Sequence, residues 1–312
     1  MRWFGFGFNA FGQILKVFHP KELRSYVERS GCCLKTSRIS ASWSRRASLH
    51  LDGECVREIA TLTLCKLDLN RIGYTSCCFP GYPLNLPLVT GGYIAPKPPF
   101  YRPLSPHLTA KSLALGAKHA ILLSVSGAVY TWGLGSHGQL GHGGLTSEEE
   151  PRVVEALWGM PMSCVATGGW HSVCISDGGD LYVWGWNESG QLGLPSRALC
   201  QDTASSPSEK PQDGEKHEVF ISIQAFPALL DVTPSCEIRT ISCGSRHTAA
   251  VTSEKSLLAV GEYGQLGHQT LISLDEPQRV EFFKEQQMCV VDVVCGAWNT
   301  FAAVAKEEVA CS

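Results

Sequence analysis

Three histidines, His119, His171 and His247, each open an apolar run. Histidine titrates near neutral pH and ligates metals, so a set of them suggests acid–base work or a metal centre. Their spacing argues otherwise. His119 and His171 are 52 residues apart, and so are His247 and Asn299, while His171 and His247 are separated by 52 plus an insertion of 24. Residues at one place in a repeat sit in successive structural units and do not converge on one reacting atom. A repeated polar residue at a strand start reads instead as a buried hydrogen-bonding group that ties neighbouring units together. Asn299 fits that role, because an amide also donates and accepts.

Other reactive patterns lose their force in the same way. Gly133-Leu-Gly135-Ser-His-Gly138 has the glycine spacing of a dinucleotide loop, but Gln-Leu-Gly-His-Gly-Gly follows where a helix would have to start. The chain has no phosphate-binding Gly-x-x-x-x-Gly-Lys, nucleophile-elbow Gly-x-Ser-x-Gly or zinc-binding His-Glu-x-x-His pattern. Its 14 cysteines form no Cys-x-x-Cys pair and no Cys/His zinc spacing, and several sit in strand-like runs around Cys174 and Cys295. They read as reduced, buried thiols. Glu148, Glu149 and Glu150 read as a solvated acidic run. Asn187-Glu-Ser has the form of a glycosylation acceptor, discounted here because it falls at a turn of the repeat. The expectation is a protein that is no enzyme and holds no cofactor and no metal.

Composition narrows the class further. Of 312 residues, 44% are hydrophobic and 18% charged, the balance of a globular chain. The net charge is −3, which gives no general basicity for holding a phosphate backbone, so direct DNA binding is not expected. No run of 18 apolar residues exists, and none of the chemistry points to a membrane. Residues 1–18 are broken by glycines and lack a small-residue cleavage site, so they do not read as a signal peptide. The 31 glycines exceed the usual share of about 7%, which suggests many tight turns between short strands.

The elements that must position the histidines follow from the repeat. Each copy begins Gly-x-x-His, at Gly116 and His119, Gly168 and His171, Gly244 and His247, and Gly296 and Asn299. An aromatic-glycine pair and then Gly-Gln-Leu-Gly follow: Trp132, Gly133 and Gly138; Trp184, Gly185 and Gly190; and, with Val260 for the aromatic and two residues fewer, Gly264. Between these marks lie β-branched and aromatic runs separated by Gly, Asp and Ser, a hairpin pattern. The fold class expected is all-β, a β-propeller of blades of about 52 residues. Phe6-Gly7-Phe8-Asn9 matches Trp184-Gly-Trp-Asn187, so the N-terminal strands complete the blade that Asn299 begins and close the ring. Five blade positions are visible in one propeller domain spanning 1–312. Residues 1–14 hold the closing strands, 39–49 a degraded blade start, 113–193 two clear blades, 236–268 a third, and 289–304 the start of the closing blade. A polar insertion occupies 195–218, and residues 80–106 hold 8 of the 17 prolines in a stiff connector.

Taken together, Cys-Gly-x-x-His-Ser/Thr, Tyr-x-Trp-Gly and Gly-Gln-Leu-Gly-His resemble the repeat of the regulator of chromosome condensation family, clearly over 113–304 and weakly over the first 50 residues. The resemblance implies a nuclear, chromosome-associated, non-enzymatic scaffold for protein partners with a role in chromosome segregation. For a small vertebrate member it further implies histone methylation control beside a JmjC-domain oxygenase and other chromatin-associated proteins. The alternative it implies is guanine-nucleotide exchange on a Ran-like small GTPase. A light sensor built on clustered tryptophans, as in a plant member, is a remoter implication.

One position in the repeat varies while its neighbours do not. The residue before the histidine place is Trp43, Lys118, Trp170, Arg246 or Trp298. Tryptophan and arginine dominate binding hot spots and attract each other, so these five are the candidate interaction face. The same tryptophans could instead plug the mouth of a central channel. Phe100, Tyr101 and Arg102, in the proline-rich stretch, are a candidate recognition segment.

Overall fold

The computed structural model describes residues 2–7, 24–26, 36–41, 46–52, 55–60, 92–94, 101–103, and 108–306 apart from 197–219, 233–234, 269 and 271. Short strands follow one another in chain order. They are β1 (Arg2–Gly7), β2 (Arg24–Tyr26), β3 (Thr36–Ala41), β4 (Arg46–Asp52), β5 (Cys55–Ala60), β6 (Gly92–Ile94) and β7 (Tyr101–Pro103). The first clear blade holds β8 (Ala110–Leu115), β9 (His119–Ser124), β10 (Val129–Gly133) and β11 (Glu148–Val153). The second holds β12 (Met162–Thr167), β13 (His171–Ser176), β14 (Leu181–Trp186) and β15 (Ile223–Leu230). The third holds β16 (Ile238–Cys243), β17 (His247–Thr252), β18 (Leu257–Gly261) and β19 (Leu274–Arg279). After a one-turn helix at Glu281–Glu285 come β20 (Met288–Cys295) and β21 (Asn299–Lys306).

Each clear blade is a four-stranded antiparallel meander, the sheet pattern of a β-propeller. The first strands lie side by side: β8 against β12, β12 against β16, β16 against β20, and β20 against β3. The second strands, β9, β13 and β17, are buried at all six positions, and β13 and β17 have a neighbouring blade packed on each face. That explains their continuous apolar and small-residue runs. The outer strands carry Pro151, Pro227 and Pro277, which lack the N–H that edge pairing needs. The core is a series of layers between blades. Ile175, Leu192, Ile241 and Leu258 fill one layer, and Phe4, Val251, Phe283 and Val293 fill another.

The closing blade is assembled from both ends of the sequence, as its motifs predict. Its order is β2-β1-β21-β20, with Arg2 opposite Val304 and Gly7 opposite Asn299. Phe6 stands where Trp132 and Trp184 stand, opposite the residue after the histidine place, and it packs against Gly267 of the third blade. Residues 8–14 lie outside the described residues.

Two stretches carry more structure than the sequence suggests. The degraded blade start at 39–49 belongs to a three-stranded sheet, β3-β4-β5, that reaches residue 60. The connector at 80–106 contains the hairpin β6-β7, with Tyr93 opposite Arg102. Its strand formers lie between the prolines, and Pro103 comes only at the hairpin's end. The insertion predicted at 195–218 begins at Pro195, which is described and accepts a hydrogen bond from Ile221 N–H at 2.9 Å. Residues 197–219 lie outside the described residues.

If β1 closes the ring, deleting residues 1–7 removes the buried Trp3, Phe4 and Phe6 and opens two strand edges. A loss of several kcal/mol is expected, lowering the thermal midpoint by about 10 °C or more. An unchanged melting curve would show that the closing blade does not need this strand.

Candidate interaction site

The histidine turns come first, because everything on the rim hangs from them. At each turn the glycine N–H donates to the carbonyl of the histidine place: Gly116 to His119, Gly168 to His171, Gly244 to His247, and Gly296 to Asn299, at 2.8–2.9 Å. A Cβ at Gly116, Gly168 or Gly244 would run into the imidazole, so only glycine fits. Each imidazole then reaches into the next blade. His119 Nε2 meets Ser172 Oγ, His171 Nε2 meets Thr248 Oγ1, and His247 Nε2 meets Thr300 Oγ1, each at 2.9 Å. Those hydroxyls in turn donate to the backbone carbonyls of Gln139, Gln191 and Gln265, at 2.7–2.9 Å. A hydroxyl that spends its proton on a carbonyl can only accept from the imidazole, so each histidine carries its proton on Nε2. Burial lowers His119 to about 4, and His171 and His247 to about 3, so all three are neutral at physiological pH. They are clasps between blades, and with values this low they do not change protonation state near pH 7.

The outer side of the same turns forms the rim. Gly133, Gly185 and Gly261 have φ of +106°, +109° and +121°, and a Cβ at Gly185 would lie 2.6 Å from the Trp170 carbonyl. The residue after each glycine donates its N–H to the residue before the histidine: Leu134 to Lys118 at 2.8 Å, Trp186 to Trp170 at 2.9 Å, and Glu262 to Arg246 at 3.0 Å. Two repeat positions therefore share the rim.

Side chains from those positions cluster. Trp170 meets Trp186 edge to face with centroids 5.8 Å apart, and His137 packs on both, at 6.0 and 5.7 Å. Arg246 lies with its guanidinium carbon 5.0 Å from the Trp186 ring and 6.0 Å from that of Trp298, and it bonds Glu262. Trp170, Trp186, Arg246 and Trp298 are half-buried, neither sealed in a core nor free in solvent. The structure thus gathers Trp170, Arg246 and Trp298, and leaves Lys118 exposed at the neighbouring turn.

Trp43 lies outside the described residues. Phe100 also lies outside the described residues, while Tyr101 and Arg102 belong to β7. Sequence reasoning missed Trp186, His137 and Glu262. The signal for two of them was available, since Leu134, Trp186 and Glu262 vary at one repeat position beside constant glycines.

The remaining motifs find structural roles. Gly138 and Gly190, at φ +70° and +74°, are turn residues, whereas the shortened third blade winds Gly264 into a single 3-10 turn at Tyr263–Leu266. Trp132 and Trp184 are buried, and the Trp184 indole N–H donates to Gln139 O at 2.9 Å. Asn187 is buried, donating to the Leu194 and Ile221 carbonyls and accepting from Leu192 N–H, which withdraws it from glycosylation. Cys174, Cys243 and Cys295 are buried thiols, and burial raises all three, Cys295 to about 12. Among the described residues no group of three or more His, Cys, Asp or Glu could hold a metal ion.

Residues 126–175, 178–251 and 260–303 match the regulator of chromosome condensation (RCC1) repeat. The chain is 41% identical to human RCC1 domain-containing protein 1 and 40% identical to its mouse counterpart, each over 96% of both chains. Among solved structures, Prp20p from Saccharomyces cerevisiae, described together with its binding to Gsp1p and histones, shares the fold at a TM-score of 0.53 and 17% identity. That likeness covers 94% of this chain but 62% of Prp20p.

The clasps predict acid sensitivity. An imidazole whose folded value lies below its unfolded 6.5 contributes stability that is complete above pH 6.5 and is lost as pH falls toward 4 and then 3. The unfolded chain binds the extra protons, and each histidine costs up to about 1.4 kcal/mol per pH unit in that window. Urea unfolding followed from pH 6.5 to 5 is expected to show a proton uptake that rises as pH falls, the three clasps supplying about 1.5 protons at pH 6.5 and nearly three at pH 5, and to lose close to one proton at pH 5 in His247→Asn. An equal slope in both proteins would mean that His247 is not held neutral.

Proposed function

Because the chain belongs to the regulator of chromosome condensation repeat family, we propose that it is a non-enzymatic nuclear scaffold that captures protein partners at chromatin on the rim of Trp170, Trp186, Arg246 and Trp298. The observation that carries the reading is the half-buried cluster itself. Three indoles and a guanidinium from successive blades stand on one rim, held by rigid turns. Indole and guanidinium side chains are over-represented among residues that dominate binding energy. The chromatin setting is supported by the description of Prp20p with histones. A JmjC-domain oxygenase, with a role in histone methylation and chromosome segregation, is the partner class the family resemblance suggests.

The histidines support the non-enzymatic side of the reading, since the clasps use them and hold them neutral. The association of Prp20p with Gsp1p favours a second reading, nucleotide exchange on a small GTPase. It is set below the first because this chain shares only the fold with Prp20p.

The test is co-precipitation from nuclear extract, probed for a JmjC-domain oxygenase and for core histones. Trp170→Ala/Trp186→Ala is expected to cut capture at least tenfold while lowering the thermal midpoint by less than about 6 °C. Undiminished capture by this folded variant would move the binding face elsewhere. In a nucleotide-release assay with a Ran-like GTPase, the native chain is expected to leave the spontaneous rate unchanged. A catalysed release would favour the second reading.

A further inference from the structure

Glu262 is an odd residue to find at the rim. Its place in the repeat holds Leu134 and Trp186 in the two preceding blades, and its side chain is only 10% exposed. A carboxylate this buried is costly unless a cation and good hydrogen bonds compensate it. The cation present is Arg246, and the fit is loose. A single nitrogen, Nη1, spans both carboxylate oxygens at 3.3 and 3.4 Å. A well-formed guanidinium–carboxylate fork uses two parallel N–H groups at about 2.7–2.9 Å. Arg246 also lies over Trp186 and Trp298, and its side chain is 37% exposed. It divides itself between the rings and the acid.

We infer that Trp186, Trp298 and Glu262 form a box for an arginine side chain of a protein partner, and that Arg246 is its built-in occupant. The inference rests on the reading of this rim as the binding face and names the chemistry that the face takes. A guanidinium arriving from solvent can turn its edge to Glu262 and its face to Trp186, the two contacts that Arg246 makes imperfectly. Arg246 gives way readily because it is long and already more than a third exposed. The planar fork selects arginine, since a lysine ammonium has no face to stack and no paired N–H groups to offer. A partner carboxylate would meet Glu262 as a like charge, and a neutral ring would leave that acid uncompensated.

The experiment is calorimetric titration of the full chain with the blocked tripeptide Gly-Arg-Gly, its citrulline counterpart of equal shape without charge, and its lysine counterpart. Arg246→Met keeps the apolar stem and empties the box. It is expected to bind the arginine peptide at least tenfold more tightly than the native chain does. Adding Glu262→Gln should abolish that gain, and the citrulline peptide should not bind. Binding by Arg246→Met no tighter than native would overturn the box, as would equal binding of the citrulline peptide. A preference for the lysine peptide would overturn the assignment to arginine. Should Arg246→Met not fold, Arg246→Gln makes the same comparison. The two readings fail separately. Partner capture that survives Trp170→Ala/Trp186→Ala defeats the rim, whereas lost capture without a gain in Arg246→Met defeats only the box.

Discussion

Three buried relays hold the described blades in order. In each, an imidazole N–H crosses to a serine or threonine hydroxyl of the next blade, and that hydroxyl donates to a glutamine carbonyl of the blade the imidazole came from. The relay is stringent because every member has one role. The hydroxyl must both accept and donate, the imidazole must be neutral with its proton on Nε2, and the carbonyl must face inward. Charging one imidazole would put a cation in a site with no carboxylate to meet it. At the first junction the Gln139 carbonyl also takes the Trp184 indole N–H. Val260 and Phe6 replace that indole at the next two, which leaves the hydroxyl as the side-chain donor there.

The rim is the relay seen from outside. The turn that drops the histidine inward raises the preceding residue outward, and the left-handed glycine on the third strand brings the second rim residue against it. Side chains at both rim positions can change without touching the relay, since the rim's own frame is backbone to backbone. Such a site is rigid in its supports and variable in its chemistry, which suits recognition. The same blade geometry that buries His171 between its neighbours presents Trp170 and Trp186 side by side.

Much of this was legible in the sequence, because the repeat writes each local constraint several times. The 52-residue spacing, the Gly-x-x-His turns and the match between the two ends carry the architecture and the closing blade. The relay partners were only half legible. Ser172, Thr248 and Thr300 follow the histidine place within the motif, but the link runs to the hydroxyl 53 or 77 residues further on, which no local pattern shows. Glu262 and Trp186 are not marked by the residue before the histidine, because the rim joins two variable repeat positions through backbone hydrogen bonds between strands.

Residue 299 separates the turn from the clasp. Gly296 N–H donates to the Asn299 carbonyl at 2.8 Å, as Gly116, Gly168 and Gly244 donate to the carbonyls of their histidines. That bond runs from backbone to backbone, so it does not select the side chain at the histidine place. The imidazole is selected by what it reaches in the next blade, a hydroxyl that passes its own proton to a carbonyl. The closing blade therefore keeps the turn, and with it the strand pairing of β20 and β21, while its side chain is free to differ. The two constraints are written in different residues of the repeat, the glycine for the turn and the histidine for the link between blades.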